Sequence, residues 1–284
     1  MARIIGILVG AGFCIVLLYS FIVGAYTWAT DDAEETAEHV FHLHPRDAEL
    51  QSAGWFGTFD EQQLQRGYKV YKEVCSACHS LRLVSFRNLE ALGYSEAQVK
   101  AEAAAWQVPG IDPGTGEATT RPALPTDYFP SPYPNDVAAR AANNNAVPPD
   151  LSLITKARHD GSNYVYSLLT GYRDPATFSV DGESLAEEFP DFATPSGLHF
   201  NPYFPNLNLA MAPPLTSDGQ VTFDDGSPAG IDDMARDVSA FLTWTAEPKL
   251  EQRHQTGWPV VLFLIFASIL AYMAYQNVWR DKKH

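Results

Sequence analysis

Val70-Tyr71-Lys72-Glu73-Val74-Cys75-Ser76-Ala77-Cys78-His79 decides how this chain is read. Its second half is a C-x-x-C-H motif, the attachment signature of a covalently bound haem. Leu64, Tyr68, Tyr71 and Val74 recur at helical spacing and predict a helix leading into the motif. On a helix, Cys75 and Cys78 share a face, and His79 projects to the same side. Two thiols so placed can form thioethers with the two vinyl groups of a porphyrin, and the imidazole can reach the iron as proximal ligand. Two competing readings fail on context. Half of a zinc site needs further Cys or His at ligand spacing, and no second cluster follows. A redox dithiol of thioredoxin type needs a βαβ setting, which the pattern does not supply.

A haem iron takes a second axial ligand, and the four methionines narrow the choice. Met1 starts the chain and Met273 lies in an apolar run. Met234 falls on the amphipathic stripe Ile231, Met234, Ala235, Val238, Phe241, Leu242, which predicts a core position. Met211 sits in the irregular segment Asn208-Leu209-Ala210-Met211-Ala212-Pro213-Pro214, where a thioether can be presented rigidly. His159, between Arg158 and Asp160, reads as a surface residue; His199 stays open as a rival on spacing alone. With both axial positions filled, the chemistry is outer-sphere electron transfer rather than catalysis at iron.

Outward from the motif, the chain has an apolar run at each end. Ile4 to Ala29 carries no charge and is about 26 residues long, more than a signal-peptide core needs and enough to span a bilayer. Arg3 precedes it, and Asp31, Asp32, Glu34 and Glu35 follow, which places the N-terminus in the cytoplasm. The alternative is a signal segment cleaved near Val23-Gly24-Ala25. Trp258 to Trp279 is the second run, with aromatic residues at both ends and Arg280, Lys282 and Lys283 beyond it, again cytoplasmic by charge. The intervening domain is therefore expected outside, on the periplasmic side of a bacterial inner membrane. Cys14 lies within the first run, so no cysteine pair remains for a structural disulfide. The formal net charge of −15 disfavours nucleic acid and favours basic partners, or serves only to keep the domain soluble. Twenty prolines and nineteen glycines predict short helices and long loops rather than a large sheet.

Several strings along the chain resemble the cytochrome c1 family, the haem subunits of the cytochrome bc1 complex. They include Arg66-Gly67-Tyr68-Lys69-Val70-Tyr71, Asp127-Tyr128-Phe129-Pro130, Pro132-Tyr133-Pro134-Asn135, Pro148-Pro149-Asp150-Leu151-Ser152, Asn201-Pro202-Tyr203-Phe204-Pro205 and Ala210-Met211-Ala212-Pro213-Pro214. The resemblance implies that Met211 is the sixth ligand and that Arg121 and Tyr133 lie near a haem propionate. A buried propionate needs charge-assisted donors, of which Arg is the best bidentate one. Pro148 and Pro149 are expected to shape a pocket wall. There are departures: the family commonly has Asn-Gly-Ala where this chain has Asn144-Asn145-Ala146, and the acidic Phe178–Leu198 stretch is longer than in some relatives.

The expected fold is mostly α: a class I cytochrome c-like haem domain with long loop insertions. To it are added a C-terminal transmembrane helix and an N-terminal one. The expected divisions are 1–30 (N-terminal transmembrane helix or signal segment), 31–255 (haem domain), 256–279 (C-terminal anchor) and 280–284 (basic tail). The resemblance implies one His/Met-ligated haem c that takes an electron from a Rieske iron–sulfur protein and passes it to a cytochrome c. It also implies cytochrome b, membrane lipid and a dimeric complex as partners. A free-standing membrane-tethered c-type carrier is the alternative.

Overall fold

The computed structural model describes residues 2–30 and 35–282. Asp31, Asp32, Glu34 and Lys283, used above to orient the two apolar runs, lie outside the described residues. The chain divides into two compact units, residues 1–40 and residues 41–284. The first is dominated by helix α1 (Ala2–Thr30), mostly apolar after Arg3 and exposed along its length. A short helix α2 (Ala37–Phe41) ends it.

The second unit is built from short helices and long connections, as the Pro and Gly content predicts. In order come α3 (Glu61–Glu73), α4 (Glu96–Ala104), the hairpin β1 (Gln107–Ile111) and β2 (Ala118–Pro122), α5 (Asp136–Ala142), α6 (Ile154–Ala157) and α7 (Gly161–Thr170). A two-residue hairpin follows, β3 (Ser179–Val180) and β4 (Glu183–Ser184), then α8 (Leu185–Glu188). The pair β5 (His199–Phe200) and β6 (Asn208–Leu209), α9 (Ile231–Ala246) and α10 (Leu250–Trp279) complete it. All three sheets have two antiparallel strands.

The centre of the unit is the crossing of α3 with α9. Asp60 caps α3 by accepting from the Gln62 and Gln63 amides at 3.0 and 3.4 Å. Its buried face, Leu64, Gly67, Tyr68 and Tyr71, meets the α9 stripe; Met234, Val238 and Phe241 are fully buried there, so Met234 is a core residue as predicted. Gly67 sits at the point of closest approach. A Cβ at that position would lie 2.0 Å from the Asp237 carbonyl oxygen and 2.7 Å from Phe241 Cβ. An ion pair locks the same crossing: Arg66 Nε to Asp237 at 2.7 Å, with Gln63 Nε2 donating to the other carboxylate oxygen at 3.1 Å. Burial holds the Asp237 carboxyl above its ordinary range despite these donors. Around the crossing, Tyr68, Tyr71, Phe86, Trp106, Phe129 and Phe241 form a continuous aromatic cluster, with Phe86 and Phe129 centroids 4.3 Å apart.

Glu102 of α4 ties this cluster to charge. It accepts from Tyr68 Oη at 2.6 Å, Lys72 Nζ at 2.7 Å and Trp106 Nε1 at 3.1 Å. Burial alone would raise its carboxyl, but the three donors more than offset that and hold it below 4.5. A folded-state value below the unfolded one gives stability that is present above the ordinary Glu range and is lost as pH falls through the folded value. Replacing Glu102 by Gln should therefore cost about 1–3 kcal/mol at neutral pH, and the difference from wild type should shrink on acidification. Chemical denaturation of both proteins across that range checks it; a pH-independent difference refutes the assignment.

Candidate haem site

Helix α3 does not continue through the motif. It stops at Glu73, the Val74 N–H closes it by donating to the Val70 carbonyl at 3.0 Å, and Cys75–Ala77 tighten into a single 3-10 turn. Cys75 opens that turn and Cys78 caps it, so the two thiols flank a single tight turn rather than one face of the α-helix expected from sequence. The Cys78 and His79 amides both bond back to the Cys75 carbonyl, at 3.1 and 2.9 Å, and fix the imidazole directly after the two thiols. Burial and the neighbouring Cys78 push the Cys75 thiol up to about 12. It is a neutral thiol, not the activated thiolate of a redox dithiol. Among the described residues no group of three or more His, Cys, Asp or Glu converges as a metal cage, which leaves the zinc reading without ligands.

The imidazole is oriented from the far side of the sequence. His79 Nδ1 lies 2.8 Å from the Pro149 carbonyl oxygen. A carbonyl only accepts, so Nδ1 carries the proton and Nε2 keeps its lone pair for a metal. Burial lowers the His79 pKa, which favours the neutral form a ligand needs. Asp150 holds the Pro149 carbonyl in place. Its carboxylate accepts from Ser80 Oγ at 2.7 Å, the Arg82 amide at 2.9 Å and the Ser152 amide at 3.0 Å, so residues 148–152 are latched onto the segment that follows the motif. Although burial would raise it, these donors hold the Asp150 carboxyl below its ordinary range. From α3, Tyr71 Oη donates to the His79 carbonyl at 3.1 Å; burial raises that phenol well above its ordinary pKa and keeps it a donor. The motif alone did not reveal Asp150, Ser80 or Tyr71. The Tyr71 periodicity and the Pro148-Pro149-Asp150 string were their only traces in the sequence.

Met211 follows β6, half-buried, and its carbonyl accepts from Tyr172 Oη at 3.0 Å just beyond α7. His199 pairs with Leu209 across β5 and β6, so the rival ligand lies on the strand beside the Met211 segment. His159 is 98% exposed in its side chain and bonded to Asp160, a surface residue as expected. Arg121 and Tyr133 are linked through Asp127, which pairs with the first and lines a cleft with the second. Arg121 binds Asp127 bidentately at 2.6 and 2.9 Å, and Asp127 and Tyr133 both line an open cleft of about 390 Å³. Arg121 Nη1 also donates to the Pro122 carbonyl at 3.1 Å. Three of its five N–H groups are thus engaged, and Nε–H and one Nη2–H remain for a further anion. The hydrogen bonds from Arg121 hold the Asp127 carboxyl below its ordinary range. Pro148 is half-buried and Pro149 is exposed.

A C-x-x-C-H turn whose imidazole is held in one tautomer marks the class of c-type cytochromes, whose work is electron transfer. Comparison with known sequences carries this further. The sequence model described as "Cytochrome C1 family" matches residues 50–282. The chain belongs to the cytochrome c1 family, whose members are the haem-bearing electron-transfer subunits of the cytochrome bc1 complex. It is 42% identical over 270 residues to "Cytochrome c1" of Rhodospirillum rubrum, covering 93% of this chain and 97% of that one. It is 47% identical over 238 residues to "Cytochrome b/c1" of Bradyrhizobium diazoefficiens, covering 81% of this chain but only 34% of that longer protein. A third relative, "Cytochrome b-c1 complex catalytic subunit, mitochondrial" of Candida albicans, is 40% identical over 255 residues, covering 90% of this chain and 83% of that one. With its two long apolar helices, the chain is a membrane-anchored haem protein.

Proposed function

We propose that this chain holds one haem c through thioethers at Cys75 and Cys78, with His79 and Met211 as axial ligands, and relays single electrons from a Rieske iron–sulfur protein to a cytochrome c. The observation that carries this reading is the 2.8 Å bond from His79 Nδ1 to the Pro149 carbonyl, which leaves Nε2 as a neutral ligand directly after Cys75 and Cys78. When bound, the haem supplies a one-electron ferrous/ferric couple. Pro148, Pro149 and the Asp150 latch orient the proximal imidazole. Arg121 offers its remaining N–H groups, beside Tyr133, to a propionate. Tyr172 fixes the backbone that presents Met211.

Cytochrome b, membrane lipid and a second copy of the whole complex complete the assembly in this reading, in which quinol chemistry belongs to other subunits. Residues 31–255 stand on the periplasmic side of a bacterial cell membrane, held by 256–279 and by 1–30 where that segment is retained, with 280–284 in the cytoplasm. Membership of the cytochrome c1 family favours this over a free-standing tethered carrier.

The structure separates the acidic clusters that could steer a basic acceptor. Asp224 and Asp225 pair with Lys69 and Arg66 at 3.0 Å, and Asp232 and Asp233 pair with Arg236 at 2.8 and 3.7 Å. Asp181, Glu183, Glu187, Glu188 and Asp191 form no ion pair among the described residues. Unpaired charge contributes most to steering. After a haem stain on a denaturing gel establishes covalent attachment, the second-order rate to a basic cytochrome c should fall steeply with ionic strength. Neutralising the 181–191 cluster to Asn and Gln should flatten that slope, and neutralising the two paired clusters should change it little. An unstained band would overturn the haem assignment, and a salt-independent rate would overturn acidic docking.

A further inference from the structure

The loop between Gln51 and Phe59 holds two large side chains out of the domain, with Trp55 75% and Phe56 77% exposed. They are not loose. Trp258 of α10 stacks with both, at centroid distances of 5.5 Å to Trp55 and 5.4 Å to Phe56. Two more contacts strap the loop to the same helix. The Phe59 amide donates to Glu251 at 2.6 Å, and His254 Nδ1 donates to the Gly57 carbonyl at 3.2 Å. Glu251, His254 and Trp258 follow one another at helical spacing along one face of α10. The loop closes so tightly that a Cβ on Gly57 would lie 2.2 Å from the Ser52 carbonyl oxygen. The loop and the start of α10 are one rigid piece.

The level of this piece along α10 is informative. Helix α10 begins at Leu250, earlier than the anchor boundary expected at 256, and its opening turns are polar: Glu251, Gln252, Arg253, His254, Gln255, Thr256. The apolar span runs from Trp258 to Trp279, a rise of about 32 Å at 1.5 Å per residue, close to the roughly 30 Å of bilayer hydrocarbon. Pro259 has no N–H for the Gln255 carbonyl, an acceptor that is cheap to leave where water reaches it and costly in hydrocarbon. Trp258 therefore marks the membrane–water boundary, and Trp55 and Phe56, stacked on it, lie at the same depth. Tryptophan and other aromatic rings are favoured in that zone, where an apolar body meets lipid and a polar edge meets headgroups and water.

We propose that the Trp55–Phe56 loop is a foot seated in the lipid headgroup zone of the bilayer that α10 crosses, so that the haem domain rests on the membrane beside α10 as well as being held by it. This inference rests on α10 spanning a bilayer, and the test separates the two. The full haem-loaded chain, labelled with 5-fluorotryptophan, is placed in phosphatidylcholine nanodiscs in the diamagnetic ferrous state, both alone and in its assembled complex. Six fluorine resonances are expected from the six tryptophans. Trp55→Phe and Trp258→Phe, which keep an aromatic ring, assign the two that matter. With a nitroxide on the lipid headgroup, the Trp55 and Trp258 signals should lose most of their intensity, and those of buried Trp244 and half-buried Trp106 should not. A water-soluble paramagnetic chelate should broaden Trp55 less than the nitroxide lipid does. Loss at Trp258 without loss at Trp55 overturns the foot and leaves the span intact; loss at neither overturns the span. Loss at Trp55 in the isolated chain but not in the complex shows a protein partner covering the loop, and also overturns lipid seating.

Discussion

Met211→Leu is expected to leave the haem covalently attached and the domain folded, because the two side chains are close in volume and Met211 is only half-buried. What it removes is sulfur. The ferric protein should lose the sulfur-to-iron band near the red edge of the spectrum, and the ferrous protein should acquire carbon monoxide binding at the vacated position. The reduction potential should fall by a sizeable part of the roughly 0.8 V range over which axial ligands tune haem. Electron acceptance from a high-potential iron–sulfur donor would then be strongly impaired. The optical spectrum, a carbon monoxide titration and a redox titration of one preparation test all three effects together. An unchanged spectrum would reject Met211 as ligand. The pairing of His199 with Leu209 makes that histidine the next candidate, since it already stands beside the same segment.

The second large effect lies far from any ligand in sequence terms. Gly67→Ala should destabilise the domain, although intrinsic helix propensity argues the opposite. In the interior of α3 alanine is favoured over glycine by about 1 kcal/mol. Against that stands the 2.0 Å approach to the Asp237 carbonyl oxygen and the 2.7 Å approach to Phe241 Cβ. The nearest atom is backbone, so it cannot swing away, and α3 must separate from α9. Overpacking of this kind costs about 1–3 kcal/mol when a core can adjust and more when it cannot. Separation would also disturb the Arg66–Asp237 pair, and a buried pair that loses its geometry is costly. A net loss of about 3 kcal/mol or more is expected, read as a lower denaturation midpoint and a lower yield of haem-loaded protein. A midpoint equal to or above wild type would show that the two helices are less tightly seated than described.

Much of this architecture is legible in the sequence where a local rule governs it. The period of Leu64, Tyr68 and Tyr71 announces α3, the Ile231–Leu242 stripe announces α9, and the two apolar runs form α1 and α10. Asn144 and Asn145 stand at φ 49° and 64°, left-handed values that Asn tolerates better than most residues. Where the sequence reading fell short, the controlling partner is distant along the chain or the signal is a single dipeptide. The Asp150 latch joins residues about 70 positions apart, and no periodicity reports such a contact. The Phe178–Leu198 stretch had no assigned shape. It folds as a hairpin turning at Asp181-Gly182, φ 51° and 94°, followed by α8. Asp-Gly between short strands is a recognisable turn signal, but the stretch is held by Phe178 and Phe189 against Phe41 and by Phe192 against Phe200, which only the folded chain brings together. The helix leading into the motif ends at Glu73 and tightens into a 3-10 turn at Cys75–Ala77, a change that the periodicity of the apolar residues does not announce.

Only Glu247, Pro248 and Lys249 separate α9 from α10, and Glu247 braces that joint by pairing with Arg253 and, at 3.6 Å, with Lys156. Helix α3, which leads straight into the cysteines, is seated on α9. A path of helices joined by one short connection and one packed crossing thus runs from α10 through α9 and α3 to the turn that carries Cys75. Mechanically this subunit is a post, not an arm. Tunnelling rates fall exponentially with distance, so a carrier whose height above the bilayer hardly varies offers its neighbours a fixed docking range.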